Sequence, residues 1–178
     1  MRFCQIDRIS ELVPGERCVA VRNLTLSEDY LKDHFPLFPV MPGVLMLESM
    51  FQAGMWLAYI TSGFRYSTVV LRESRQVRFN DFVEPGSRLT VTAEWQGRED
   101  DRISLQTRGM IGESMAVRAR LTLEQFNLAD RQLAAAASDQ YLIDQRRAQF
   151  RRLQDPRNNY NSQFDKTAPP DLSGSHTG

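Results

Sequence analysis

Residues 43–62 place Val44, Leu45, Met46, Leu47, Met50, Phe51, Met55, Trp56, Leu57 and Ile60 on nearly every side of a helix, with Glu48 as its only charge. A helix that is apolar all round has to be wrapped by other material. The stretch 44–60 is 17 residues long, contains Glu48, Ser49 and Gln52, and lacks flanking basic clusters. A membrane span needs about 20 apolar residues, so the expectation is a buried helix in a soluble protein and no span. Pro42 is placed to open the helix, where its missing N–H costs nothing, and Ser62 and Gly63 to end it.

The rest of the chain supplies the wrapping. Residues 66–79 contain the β-branched run Thr68, Val69, Val70, followed by Val77 and Phe79. Leu89, Val91, Ala93 and Trp95 alternate with Thr90, Thr92 and Glu94; Ile103 and Leu105 resume the pattern, and Met115, Val117, Ala119, Leu121 and Leu123 repeat it. Glu84-Pro85-Gly86, the polar tip 97–101 and Gly112-Glu113 read as turns between half-buried antiparallel strands. Residues 6–13 and 17–24 form a further hairpin around Pro14-Gly15, after which Ser27 caps a helical turn ending near Lys32. One long buried helix with several antiparallel strands predicts an α+β fold in which the sheet curls around the helix.

At 178 residues the chain has room for one domain and an appendage. The reading is a domain at 1–124, a C-terminal helical extension at 125–154 and a disordered tail at 155–178. Ile143, Phe150 and Leu153 mark a thin apolar stripe on the extension, expected to pack on the outer face of the sheet or on another subunit. Twenty-two basic side chains balance 22 acidic ones, which leaves no bulk charge to drive binding to nucleic acid or an anionic membrane. Two cysteines, Cys4 and Cys18, exclude a disulfide scaffold and give no metal-site spacing. The first ten residues carry no signal-like apolar region, so a reduced, cytoplasmic setting is expected.

Two residues carry candidate chemistry. His34 and His176 are the only histidines, and His176 falls in the tail. An isolated carboxyl such as Glu48 is costly to ionise among apolar side chains, so it must be paired, face a cavity or stay protonated. Val44, Glu48 and Gln52, spaced by four, share a face on which Gln52 can orient the acid. Pro36, Pro39 and Pro42 make residues 34–43 an extended, stiff loop. On these residues alone, a satisfied buried acid and a structural histidine remain open alternatives.

Residues 34–52 read HFPLFPVMPGVLMLESMFQ. They resemble the signature of the FabZ-type (3R)-3-hydroxyacyl-acyl-carrier-protein dehydratases: His-Phe-Pro, two variable residues, Pro-Val-Met-Pro-Gly-Val-Leu, then Glu and Gln. The 14-residue spacing from histidine to glutamate agrees. QIDRISELVPGERCVAVRNLT and VRFNDFVEPGSRL are also similar to the family, so the resemblance spans residues 5–123. It implies a hotdog fold, in which an antiparallel sheet wraps a central helix, and a homodimer whose two sheets join. It further implies an active site at the dimer interface, with His34 from one subunit, Glu48 from the other, and the Gly43 N–H holding a thioester carbonyl.

The implied reaction removes water from a 3-hydroxyacyl thioester. A neutral imidazole takes the C2 proton, a carboxyl kept protonated by its apolar helix delivers one to the C3 hydroxyl, and helix-start N–H groups stabilise the thioester oxygen. Gln52 belongs to the substrate site in this reading, and Phe64 and Tyr66 either gate an acyl tunnel or are core aromatics. The partner is an acidic acyl carrier protein bearing its cargo on phosphopantetheine; Arg72, Arg75 and Arg78, read as a period-two alternation, are either its docking patch or ordinary solvated arginines. No metal or redox cofactor is called for, and trimers of dimers are common in the family. Glutamate rather than aspartate at position 48 points to the type that does not isomerise the double bond. Leu37 stands where glycine is common, and Ser49 and Phe51 where alanine is. Two other readings are a related hotdog thioesterase, in which Glu48 directs water at the carbonyl, and a non-catalytic subunit that binds acyl groups or their carrier.

Overall fold

The computed structural model describes residues 3–132 and 136–154. Strands β1 (Arg8–Val13) and β2 (Arg17–Asn23) form the first hairpin, and a 3-10 turn (Asp29–Lys32) and a loop lead to helix α1 (Gly43–Thr61). Four strands follow, β3 (Thr68–Phe79), β4 (Arg88–Glu99), β5 (Arg102–Ile111) and β6 (Ser114–Phe126), then a short 3-10 turn (Leu128–Asp130) and helix α2 (Ala136–Leu153). All six strands make one sheet in the order β1-β2-β4-β5-β6-β3, with every neighbour antiparallel. It wraps α1, as the hotdog arrangement requires.

The period-two pattern is what turns the strands toward the helix. Leu89, Val91 and Ala93 of β4, Ile103 and Leu105 of β5, and Val117, Ala119, Leu121 and Leu123 of β6 are all buried in one core with Met50, Trp56 and Leu57 of α1. Gly54 sets how closely helix and sheet approach: a Cβ there would lie 2.4 Å from Leu105 Cδ1. Met115 departs from its expected inward place. A bulge opposite Gly109/Met110 skips Ala116, which is buried, and leaves Met115 at the surface. Ser27 departs too. Its hydroxyl bonds the Thr25 hydroxyl at 2.8 Å, and the turn at Asp29–Lys32 starts one residue later, from Glu28, without a side-chain cap.

The extension does not pack on the outer face of the sheet; in its own chain it closes the C-terminal half of α1. The Phe150 ring centroid lies 5.8 Å from that of Trp56 and 6.1 Å from that of Phe64, and Leu153 is buried beside β1. Burying one such phenylalanine contributes roughly 2–3 kcal/mol, enough to hold a helix whose other faces are polar. Just after the helix, Gln154 bridges Ile9 in parallel at the edge of β1. The reading of a disordered tail falls on residues 155–178, outside the described residues.

Asp139 anchors the start of α2. Its carboxylate accepts from the Ser67 hydroxyl and from the N–H groups of Leu128 at 2.8 Å and Ala129 at 2.9 Å. Burial alone would raise its pKa, but the Ser67, Ala129 and Leu128 hydrogen bonds outweigh burial and hold it below its ordinary value. A folded pKa below the unfolded one means the anchor acts fully above about pH 4 and is lost as pH falls through the lower folded value. Amide exchange should therefore show α2 losing protection in acid before the sheet does, and Asp139→Asn should remove that step. Identical acid profiles for the two proteins would contradict this account of the anchor.

Candidate active site

The enclosure of α1 is uneven, and this creates the site. Every residue from Gln52 to Ile60 is buried, whereas Val44 is exposed and Leu47, Glu48 and Phe51 are half-buried. These four sit at i, i+3, i+4 and i+7, on one face. Sequence reading expects the helix to be wrapped all round; within one protomer the N-terminal half keeps an open apolar stripe with a carboxyl in its middle. Phe35, Leu37, Phe38, Phe79 and Phe82, from the preceding loop and the ends of neighbouring elements, are exposed as well. An apolar surface of this extent marks an interaction or ligand site.

The loop before α1 is stiff but not uniformly extended. The His34 N–H donates to Tyr30 O at 3.0 Å, so His34 closes the 3-10 turn. Phe35 then takes φ +50°, a strained value for a side-chain-bearing residue, and its carbonyl accepts the Phe38 N–H at 2.8 Å. Only from Pro39 is the chain extended. Met41 N–H donates to Val83 O at 2.8 Å, and Val40 and Met41 are buried, which clamps this stretch to the β3–β4 connection. The half-buried imidazole of His34 meets the Phe35 ring edge-on at 4.6 Å.

Pro42 precedes the helix, and its carbonyl accepts from Leu45 N–H at 2.9 Å. Gly43 is the first helical residue, where the free N–H groups carry the positive end of the helix dipole. Its lack of a side chain has a specific reason: a Cβ would lie 2.9 Å from Phe79 Cε1. One turn further, Glu48 Oε1 accepts from Gln52 Nε2 at 2.8 Å, the pairing that the i, i+4 spacing suggests.

The remaining sequence candidates lie elsewhere. Phe64 is buried at the far end of α1, stacked on Tyr59 at 5.8 Å, and Tyr66 accepts a hydrogen bond from Arg98 at 3.0 Å. At about 1.5 Å rise per residue, that end of the helix is roughly 20 Å from Glu48, so one protomer does not bring these aromatics to the carboxyl. Arg72, Arg75 and Arg78 are spaced by three, and a regular strand cannot place all three on one face; the bulge at Arg75/Arg78 sets Arg75 opposite Arg120 and Arg78 opposite Arg118, so these two share a face. Arg72 pairs with Glu124 at 2.7 Å and Arg75 with Glu73 at 2.8 Å. Sequence reading also leaves out other parts of the site. It misses Phe79 against Gly43, and it misses the contacts of Ser49 and Gln52 with Gln5. The one available signal was Ser49 standing at an alanine position. Among the described residues no group of three or more His, Cys, Asp or Glu side chains is placed to hold a metal, and no helix is long and apolar enough to cross a membrane.

A sheet wrapped around one helix, with a histidine loop feeding the helix start and a carboxyl one turn in, defines a hotdog-fold protein of a recognisable class. The FabA-like domain matches residues 1–120, and the chain belongs to that family. Within the family it is similar to the 3-hydroxyacyl-acyl-carrier-protein dehydratases named FabZ. That of Levilactobacillus brevis is 35% identical over 117 residues, covering 66% of this chain and 79% of the relative. That of Geobacter metallireducens is 42% identical over 91 residues, covering 50% and 61%. The fold is shared with the dehydratase heterocomplex ApeI:P from Xenorhabdus doucetiae, at TM-score 0.57 and 17% identity over 70% of this chain and 84% of that one. Helix α2 lies beyond the residues matched by the family domain.

Proposed function

We propose that the protein dehydrates (3R)-3-hydroxyacyl groups carried on acyl carrier protein to trans-2-enoyl thioesters in fatty acid biosynthesis. The observation that carries this reading is the carboxyl of Glu48 in the open apolar stripe of a helix that begins at Gly43, next to the His34 loop, in a chain whose relatives are FabZ dehydratases. The His34 imidazole accepts the C2 proton; the electron pair left behind forms the C2–C3 double bond. The C3–oxygen bond breaks, and the hydroxyl leaves as water with the proton of Glu48. Charge that gathers on the thioester oxygen meets the N–H of Gly43. Positioned proton transfer contributes about 10²–10⁴ in rate. His34→Ala and Glu48→Gln should each lower turnover at least 100-fold on that scale while leaving the fold intact by circular dichroism. Enoyl absorbance is the measurement. Near-normal turnover in either variant overturns its assigned role, and thioester hydrolysis without enoyl formation would favour a thioesterase.

The site is completed by a second copy. Among the described residues strand β3 ends the sheet and has no strand on its outer edge, and the open stripe on α1 exposes apolar surface that water disfavours. A dimer that joins two β3 edges continues the sheet and lets His34 of one protomer and Glu48 of its partner act on one acyl group. Sedimentation equilibrium should return twice the chain mass or a multiple of that; a stable, active monomer would exclude a shared site.

Acyl carrier protein docks, in this reading, on arginines of the outer sheet face. Arg78 lies opposite Arg118, Arg118 opposite Arg108, and Arg75 opposite Arg120. Like charges directly opposite one another are unfavourable; Glu94, 3.0 Å from Arg108, and Glu73 beside Arg75 offset two of them, and an acidic partner relieves the others. Carrier affinity should fall with added salt, and Arg78→Ala or Arg118→Ala should weaken it several-fold at low salt. Binding indifferent to both salt and these substitutions would place the carrier elsewhere.

A further inference from the structure

The segment before β1 is fastened to α1 by two side chains one turn apart. Ser49 Oγ donates to Gln5 O at 3.0 Å and lies 2.9 Å from Leu45 O, and Gln52 Oε1 accepts the Gln5 N–H at 2.8 Å. Ser49 is wholly buried and Gln52 is 5% exposed. At the other end of the Gln52 amide, Nε2 donates to Phe3 O at 3.1 Å and to Glu48 Oε1 at 2.8 Å.

These partners leave the amide no choice of orientation. A backbone N–H only donates and a backbone carbonyl only accepts. Turned over, the amide would set its oxygen against Phe3 O and the Glu48 carboxyl, and its NH₂ against the Gln5 N–H. Both hydrogens of Nε2 are thereby committed, one of them to Glu48 Oε1. The carbonyl oxygen of a carboxylic acid is the better acceptor, so this bond favours a proton on Oε2.

We infer that the backbone of residues 3–5 is an orienting strap for Glu48, acting through Gln52 to fix Oε2 as the oxygen that carries the proton to the departing hydroxyl. Gln52 and Ser49 are positioning residues, and the hydroxyl at position 49, where alanine is common in the resembling family, secures the strap. This inference rests on Glu48 being the acid proposed above. The side chain of Gln5 is not the working part: among the described residues its Oε1 is buried without a hydrogen-bond partner. The working part is its peptide N–H.

The test compares Gln52→Ala, Gln5→Pro and Gln5→Ala in the full chain, with Glu48→Gln measured beside them. Gln5→Pro deletes the N–H, and Gln5→Ala keeps it. Gln52→Ala and Gln5→Pro should each lower kcat about tenfold with KM within about twofold, the signature of an interaction that matters after substrate has bound. Gln5→Ala should retain a kcat at least about fivefold above that of Gln5→Pro, because it keeps the donor. Equal losses in the two Gln5 variants, a loss confined to KM, or a Gln52→Ala enzyme with wild-type kcat would overturn the strap. Should Gln5→Pro fail to fold, Gln52→Ala, which leaves the backbone untouched, decides the matter. Normal turnover in Glu48→Gln would remove the acid itself, whereas an inactive Glu48→Gln with an unaffected Gln52→Ala would remove only the strap.

Discussion

Glu48 owes its setting to the uneven enclosure of one helix. The sheet covers α1 along its length, but a second layer, α2, reaches only its C-terminal half, through Phe150 against Trp56 and Phe64. Had α2 extended over Val44, Leu47 and Phe51 as well, the carboxyl would be sealed in an apolar interior, where an acid has neither substrate nor a route for its proton. Had α2 been absent, the aromatic end of the helix would face water. The division between a closed half and an open half is thus both a packing solution and the condition for a site.

Much of this was legible in the chain. A twenty-residue apolar run can only be wrapped, and alternating segments after it can only be the wrapper, so the α+β arrangement follows from two periodicities. The Pro42-Gly43 junction and the four-residue spacing of Glu48 and Gln52 are local features, and the structure has both as read. What escaped were contacts with no periodic trace. The docking of α2 depends on Phe150 meeting aromatics nearly a hundred residues earlier, and the bulge that turns Met115 outward depends on pairing with another strand. The outward face of the sheet escaped for the same reason: Arg78, Arg118 and Arg108 become neighbours only through the register.

The two edges of the sheet are treated differently, and the difference bears on how the site is completed. An unpaired strand edge invites association, and proteins cover or break such edges unless they use them. Here the β1 edge is met by the end of α2, where Gln154 bridges Ile9. The β3 edge, twelve residues long, has no strand beside it among the described residues. It ends at Phe79, whose ring lies against Gly43 at the start of α1. The open edge and the open stripe therefore meet at the helix start, and a single partner seated on one covers the other. A chain segment bridged to β1 and an open β3 favour one mode of sheet continuation over two, and so a closed pair over an open-ended stack. The extension that lies outside the family domain thus meets one edge of the sheet without entering the site, and leaves to the other edge the joining of two copies proposed above.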